Sequence, residues 1–192
     1  MLKNADYIYN NVIIADEVNT TKMFCKKAQV GVDLSLRGVK RITSAGLILK
    51  DKSIVSSYED VDERCIYRED WCNASDIAHG FVLEKGTYIV LLNEGCDFGP
   101  NDTGLIILRS SLNRCGVSIQ SAVWDPGYNS INKDTILPMS VRLTVDTDEG
   151  IRIEKNARIA QLLVFQNEDT SLYDGQFQGG NLQSKLTKQV EE

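Results

Sequence analysis

One cation, two hydroxyls and a carboxylate fixed in a turn give the stretch Arg109 to Tyr128, RSSLNRCGVSIQSAVWDPGY, most of the chain's chemical potential. Arg109 beside Ser110 and Ser111 offers a permanent charge and two hydroxyl donors, a set suited to phosphate oxygens. Ser110 or Ser111 can cap a single helical turn through Leu112, Asn113, Arg114 and Cys115, with Gly116 ending it. Free backbone N–H groups at such a start would add to an anion site. Val117 to Trp124 reads as a strand, and Asp125-Pro126-Gly127-Tyr128 closes it. Pro in the second place and Gly in the third suit a type II turn with Asp125 at its first corner. A phosphate grip and a held carboxylate therefore stand at two ends of one strand. Taken alone, an Asp-Pro-Gly turn needs no function, because its Asp can bond its own backbone.

The elements that must position these residues are short and β-rich. Val32-Asp33-Leu34-Ser35-Leu36 alternates apolar and polar, which predicts a half-buried strand with Asp33 on its polar face. Ala45 to Leu49, Phe81 to Leu83, Thr87 to Leu92, Leu105 to Leu108, Val141 to Val145 and Ile159 to Phe165 add further segments, broken by Gly, Asn and Asp. Tyr7 to Ile14 suggests another strand, and Thr20 to Lys27 a short helix or an arm. Short strands without strand–helix alternation point to an all-β sandwich or barrel. Asp51 to Ile77 is acidic and reads as a solvated face without chemistry. After Glu168 the composition turns to Gly, Gln, Asn and Ser, which predicts a mobile tail.

Composition narrows the function. At 192 residues the chain makes one domain, with 42% hydrophobic and 25% charged residues as in ordinary globular proteins. A net charge of −6 with no basic run argues against a nucleic-acid-coating surface, yet leaves room for a small phosphorylated ligand. Five scattered cysteines contain no C-x-x-C, so buried free thiols in a reducing cytoplasm are expected. Polar residues interrupt the N-terminal apolar positions, and no window has the length of a membrane span, so no membrane association is expected. His79, the single histidine, follows a polar connection and reads as an exposed or structural imidazole. Zinc-dependent base deamination lacks its H-x-E and P-C-x-x-C signatures.

RSSLNRCG followed by AVWDPGY resembles the second and third motifs of the trimeric dUTPase and dCTP deaminase superfamily. GVDLSL (Gly31 to Leu36) is similar to the first motif, NARIAQLLVF (Asn156 to Phe165) to the fourth, and YDGQFQGGNLQS (Tyr173 to Ser184) to the fifth. The resemblance implies a distorted jelly-roll or β-barrel domain over 1–171, with 1–29 as an arm, and a mobile segment at 172–192 that closes the site. It further implies a homotrimer with sites built from more than one subunit.

By the same resemblance Asp125 activates water beside the α-phosphate, and Gln161 lies near that phosphate and the water. Arg109, Ser110 and Ser111 bind phosphates, while Asp33 holds Mg²⁺ through water. Backbone at Ala122 and Val123 pairs with the pyrimidine edge, Tyr128 packs under the deoxyribose, and Phe177 stacks over the base. Without the family frame each has a plain structural explanation: Arg109 and Arg158 as ion-pair partners, Gln161 as a strand amide, Asp33 as an exposed strand residue, Tyr128 as a core aromatic. Deaminases of this family carry a catalytic Glu in the strand after the turn. Here that place falls near Arg142, with no Glu between Asp125 and Asp148, and an insertion at 129–138 intervenes. The expectation is therefore Mg²⁺-dependent hydrolysis of dUTP to dUMP and pyrophosphate. The alternatives are dCTP deamination, alone or combined with hydrolysis, and a catalytically inactive nucleotide-binding regulatory jelly roll.

Overall fold

Apolar side chains at every second position build the main sheet. Tyr88, Val90 and Leu92 are buried in the strand Gly86–Leu92, and Val141, Leu143 and Val145 in Ser140–Val145. A pleated backbone sends alternate side chains to opposite faces, so each set converges on one core. Burying a Leu or Val side chain contributes about 1.5–3 kcal/mol. The structure, a computed structural model, describes residues 1–14, 24–51, 53–66, 78–132, 135–168, 171–175 and 177–178.

Antiparallel pairing runs through Asp102–Leu108, Arg158–Gln166, Val32–Ile42, Gly86–Leu92, Ser140–Val145 and Val117–Gln120, in that order. Lys26–Lys27 and Tyr58–Asp60 add to the two ends of Val32–Ile42. The first and last strands of the series are joined by the short helix Ser110–Asn113. Gly104 and Trp124 exchange two backbone hydrogen bonds of 2.9 Å, which bring the outer strands towards each other. The sheet thereby curls into a nearly closed barrel filled by Leu34, Leu36, Val90, Leu143, Leu162 and Val164. A smaller sheet of Ile151–Glu154, His79–Leu83 and Arg64–Cys65 stands beside it. The all-β expectation is thus met, with a barrel-like main sheet.

Several local expectations change. Ala5–Asn11 is a helix where a strand was expected from Tyr7 to Ile14; of that stretch Ile13–Ile14 is a strand, paired with Gly95–Cys96. Asn4 caps it, its Oδ1 accepting from the Tyr7 N–H at 2.8 Å, and Ala5, Ile8 and Val12 fall at helical spacing onto the core. The strand expected over Val117 to Trp124 stops at Gln120, because Trp124 pairs with Gly104 instead. His79 lies on a strand and not in a polar connection. The 129–138 insertion contributes a small hairpin, Ile131–Asn132 against Thr135–Ile136. Among the described cysteines Cys25 and Cys96 are buried as expected, whereas Cys65 and Cys115 are exposed. The element expected over Thr20 to Lys27 and the Asp51 to Ile77 stretch lie partly outside the described residues.

Candidate functional site

Strand register sets the first group of candidate residues in a row. Lys26 stands opposite Asp33, Asp33 opposite Gln161, and Gln161 opposite Ile107. Directly opposed residues of antiparallel strands project to the same face. Gly31 allows the close approach that this row needs. Its φ is +90°, and a Cβ there would sit 2.4 Å from the Leu162 carbonyl oxygen, so any side chain would push the Asp33 strand from its neighbour. Between Arg158 and Ala160 the register shifts by a bulge, a device common beside functional sites. There the Arg158 carbonyl accepts from Arg109 Nη1 at 2.8 Å.

Arg109 follows directly after Asp102–Leu108, and its Nε stands 3.2 Å from Asp33 Oδ2. Nε and Nη1 are thus engaged, and Nη2 is the nitrogen still open among the described residues. Asp33, Arg109, Ser110 and Gln161 line an open cleft of about 510 Å³ together with Gln29 and Val30. Three expectations are corrected here. Asp33 is only 8% exposed: the alternation of its strand is real, but protein and not water meets the polar face. And Arg158 contributes its carbonyl; its guanidinium has no ion pair among the described residues. The helix after Arg109 begins at Ser110 itself, with Arg109 as N-cap and no side-chain capping bond, so neither serine plays the capping part. Ser111 is exposed and outside this cleft.

Next along the Asp33 strand lies a polar cluster that sequence reading missed. Ser35, fully buried, donates from its N–H and hydroxyl to Glu94 at 3.0 and 2.6 Å. Asn93 donates to Ser35 Oγ at 2.9 Å and to Asn156 Oδ1 at 3.0 Å. Burial pushes the Glu94 carboxyl up to about 7, against the Ser35 hydrogen bonds that lower it. A Glu between Asn93 and Gly95 carries no sequence sign of burial, since its partner comes from a distant strand. Cys96 follows the same logic: burial drives its thiol up to about 12, which leaves it inert.

The second group gathers around the turn. The Tyr128 N–H donates to the Asp125 carbonyl at 3.1 Å, and Gly127 has φ +77°, so the type II geometry expected of Asp-Pro-Gly is present. The turn is tied down by the Gly127 N–H to the Phe98 carbonyl at 3.1 Å and the Phe98 N–H to the Tyr128 carbonyl at 2.9 Å. Trp124 packs edge-on against Tyr128 with ring centroids 5.0 Å apart, and its Nε1 donates to Ser121 Oγ at 2.9 Å. These contacts fix the exposed Ala122–Val123 segment between them. Ala122, Val123, Asp125, Tyr128 and Phe177 line one cavity of about 350 Å³. Val55, Tyr58 and Ser140 also belong to its wall, so part of the acidic stretch, expected to be bare of chemistry, borders this cavity.

The described part of the tail packs onto the same turn. The Tyr173 N–H donates to the Pro126 carbonyl at 2.8 Å, and Gln178 Nε2 to the Gly127 carbonyl at 2.9 Å. Tyr173 meets the Tyr128 ring edge-on with centroids 5.5 Å apart. Tyr173 had no role in the sequence reading, although an aromatic opening a Gly- and Gln-rich tail is a usable signal. Residues 179–192 lie outside the described residues.

One chain thus brings Asp33, Arg109, Ser110 and Gln161 together, and separately Ala122, Val123, Asp125, Tyr128 and Phe177. It does not place the two groups in one cavity. A family model described as dCTP deaminase-like matches residues 6–167, most of the chain and both groups of residues except Phe177. The chain belongs to this dCTP deaminase-like family. Within the sequences it resembles is a protein of Aeropyrum pernix named probable deoxyuridine 5'-triphosphate nucleotidohydrolase, 34% identical over 154 residues that cover 79% of this chain and 84% of that one. A protein of the same name from Archaeoglobus fulgidus is 32% identical over 157 residues, covering 80% and 81%. Among solved structures, the 2'-deoxycytidine 5'-triphosphate deaminase of Agrobacterium tumefaciens superposes with a TM-score of 0.48 at 15% identity, over 80% of this chain and 48% of that one. Among the described residues of this family member, no helix is long and apolar enough to cross a membrane.

Proposed function

We propose that the chain hydrolyses dUTP to dUMP and pyrophosphate. The observation that carries this reading is the exposed Asp125 carboxylate, held by a tethered turn on the wall of a cavity that also presents the Ala122–Val123 backbone and Tyr128. The names of the archaeal relatives support it. In this reading a water attacks the α-phosphorus, Asp125 accepts its proton, and the bond to the bridging oxygen breaks as pyrophosphate leaves. Gln161 orients the water, and Arg109 with Ser110 and Ser111 grips the phosphates. Ala122 and Val123 pair with the uracil edge, Tyr128 carries the sugar, and Phe177 covers the base.

Mg²⁺ is part of the proposal. Among the described residues no group of three or more His, Cys, Asp or Glu side chains could cage a metal, and one Asp33 oxygen already faces Arg109. That donor set fits an ion carried on the triphosphate and held by Asp33 through water, since Mg²⁺ keeps several waters and takes phosphate oxygens readily. When bound there, the ion would neutralise charge on the triphosphate.

The division of the residues between two cavities supports a site completed by a neighbouring copy in a homotrimer, with 1–171 as the domain and 172–192 as its closing segment. A cytoplasmic location belongs to the same reading.

Deamination is the weaker reading because the strand Ser140–Val145 offers no acid beside the cavity. Ser140 lines it, and Arg142, two residues on and on the same face, is exposed opposite Gln120. Incubating the protein with each deoxynucleoside triphosphate and Mg²⁺, and assaying pyrophosphate and ammonia separately, tests the assignment. Pyrophosphate from dUTP and no ammonia from dCTP is the expected result; ammonia at a comparable rate overturns it.

A further inference from the structure

The Asp33–Arg109 cleft is short of positive charge for a triphosphate. Its ionisable lining is one Asp and one Arg in contact at 3.2 Å, whose charges cancel, while Ser110 and Gln161 add polar atoms without charge. We propose that Lys26 supplies the missing cation and binds the terminal phosphate of a nucleoside triphosphate held at this cleft. The proposal rests on the dUTP reading for the identity of the nucleotide, but not for the anion site itself.

Strand register places the lysine. Lys26 is the direct antiparallel partner of Asp33, which puts both side chains on one face with Cβ atoms about 5 Å apart. Ala28, two residues on, lines the cleft, in keeping with the same side of an extended backbone. Lys27 projects the other way and is already engaged: its Nζ is 2.6 Å from Asp6 and 5.1 Å from the centre of the Tyr9 ring. Lys26 is exposed and has no ion pair among the described residues. Gln161 lies two strands away with Asp33 between them, a distance of about 10 Å, and Arg109 stands beyond. Lys26 and the Arg109 side chain therefore reach Asp33 from strands on opposite sides of it, so that the two cations can share one phosphate chain. Arg109 is held rigidly by Asp33 and the Arg158 carbonyl. Lys26, a point charge on a flexible stem, can follow a terminal phosphate without a fixed geometry.

The test uses the full chain with Lys26→Ala, Lys26→Arg and Lys27→Ala. Steady-state kinetics with dUTP and Mg²⁺ are paired with calorimetric titration of inorganic tripolyphosphate, and with inhibition by dUMP. Lys26→Ala should raise KM for dUTP and the tripolyphosphate Kd each about tenfold, with kcat within about twofold of the parent. Lys26→Arg should restore both, Lys27→Ala should resemble the parent, and dUMP inhibition should be unchanged in all. An unaltered tripolyphosphate Kd in Lys26→Ala, an equal loss for dUMP, or a parent protein that does not bind tripolyphosphate would each overturn the role of Lys26. A parent that binds tripolyphosphate through Lys26 yet leaves dUTP intact would retain the anion site and sink the dUTP reading instead.

Discussion

Raising the pH should loosen this fold through Glu94. The side chain is fully buried, and Ser35 donates to both its oxygens, from its N–H and from its hydroxyl. Burial raises its carboxyl from the ordinary 4.5 to about 7. The folded state therefore holds this proton more tightly than the unfolded chain does. Its stabilising contribution is complete below pH 4.5 and is lost as pH rises through about 7. At about 1.4 kcal/mol for each pH unit the span is worth about 3 kcal/mol, of which about 2–3 kcal/mol falls between pH 5 and pH 8. Glu94→Gln removes the titration while keeping an oxygen to accept from the Ser35 N–H and an amide to face its hydroxyl. Denaturant unfolding of both proteins at the two pH values, at one fixed protein concentration, isolates the effect, because other titrating groups are common to both. The parent should lose about 2–3 kcal/mol more than the variant on going to the higher pH. Equal losses in the two proteins would refute the reasoning, and would mean that Glu94 stays charged in the fold or is relieved by water.

Two further outcomes follow from the turn. Asp125→Asn should lower dUTP turnover by at least about 10²-fold, the lower end for a general base, while a non-hydrolysable dUTP analogue still binds on calorimetry; near-normal turnover would place the base elsewhere. Ending the chain after Ser171 removes Tyr173, Phe177 and Gln178 from the Asp125–Tyr128 turn, and should sharply reduce turnover while leaving the barrel folded by circular dichroism, since the proposed closing segment and not the barrel is lost; full activity in the truncated chain would reduce the tail to an appendage.

The sequence by itself determined what depends on neighbouring residues. Pro126 and Gly127 restrict the backbone so strongly that the turn at Asp125 was legible without a fold, and so were the strands with strict alternation, such as Gly86–Leu92 and Ser140–Val145. The motif order was enough to bring out the family resemblance. Short-range patterns failed where a distant partner decided the outcome. Asp33 looked exposed because alternation tells which face a side chain takes, not what covers that face; Arg109 covers it here. Glu94 looked like any surface acid, yet Ser35, 59 residues away in sequence, holds it in the core. Tyr7 lies on a helix because Asn4 caps it and the barrel accepts Ala5 and Ile8, a preference that a run of apolar residues leaves undecided. Above all, only the tertiary structure could separate Arg109 and Gln161 from Asp125 and Tyr128. Register and barrel closure decide which side chains share a cavity, and these depend on contacts among strands far apart in the chain.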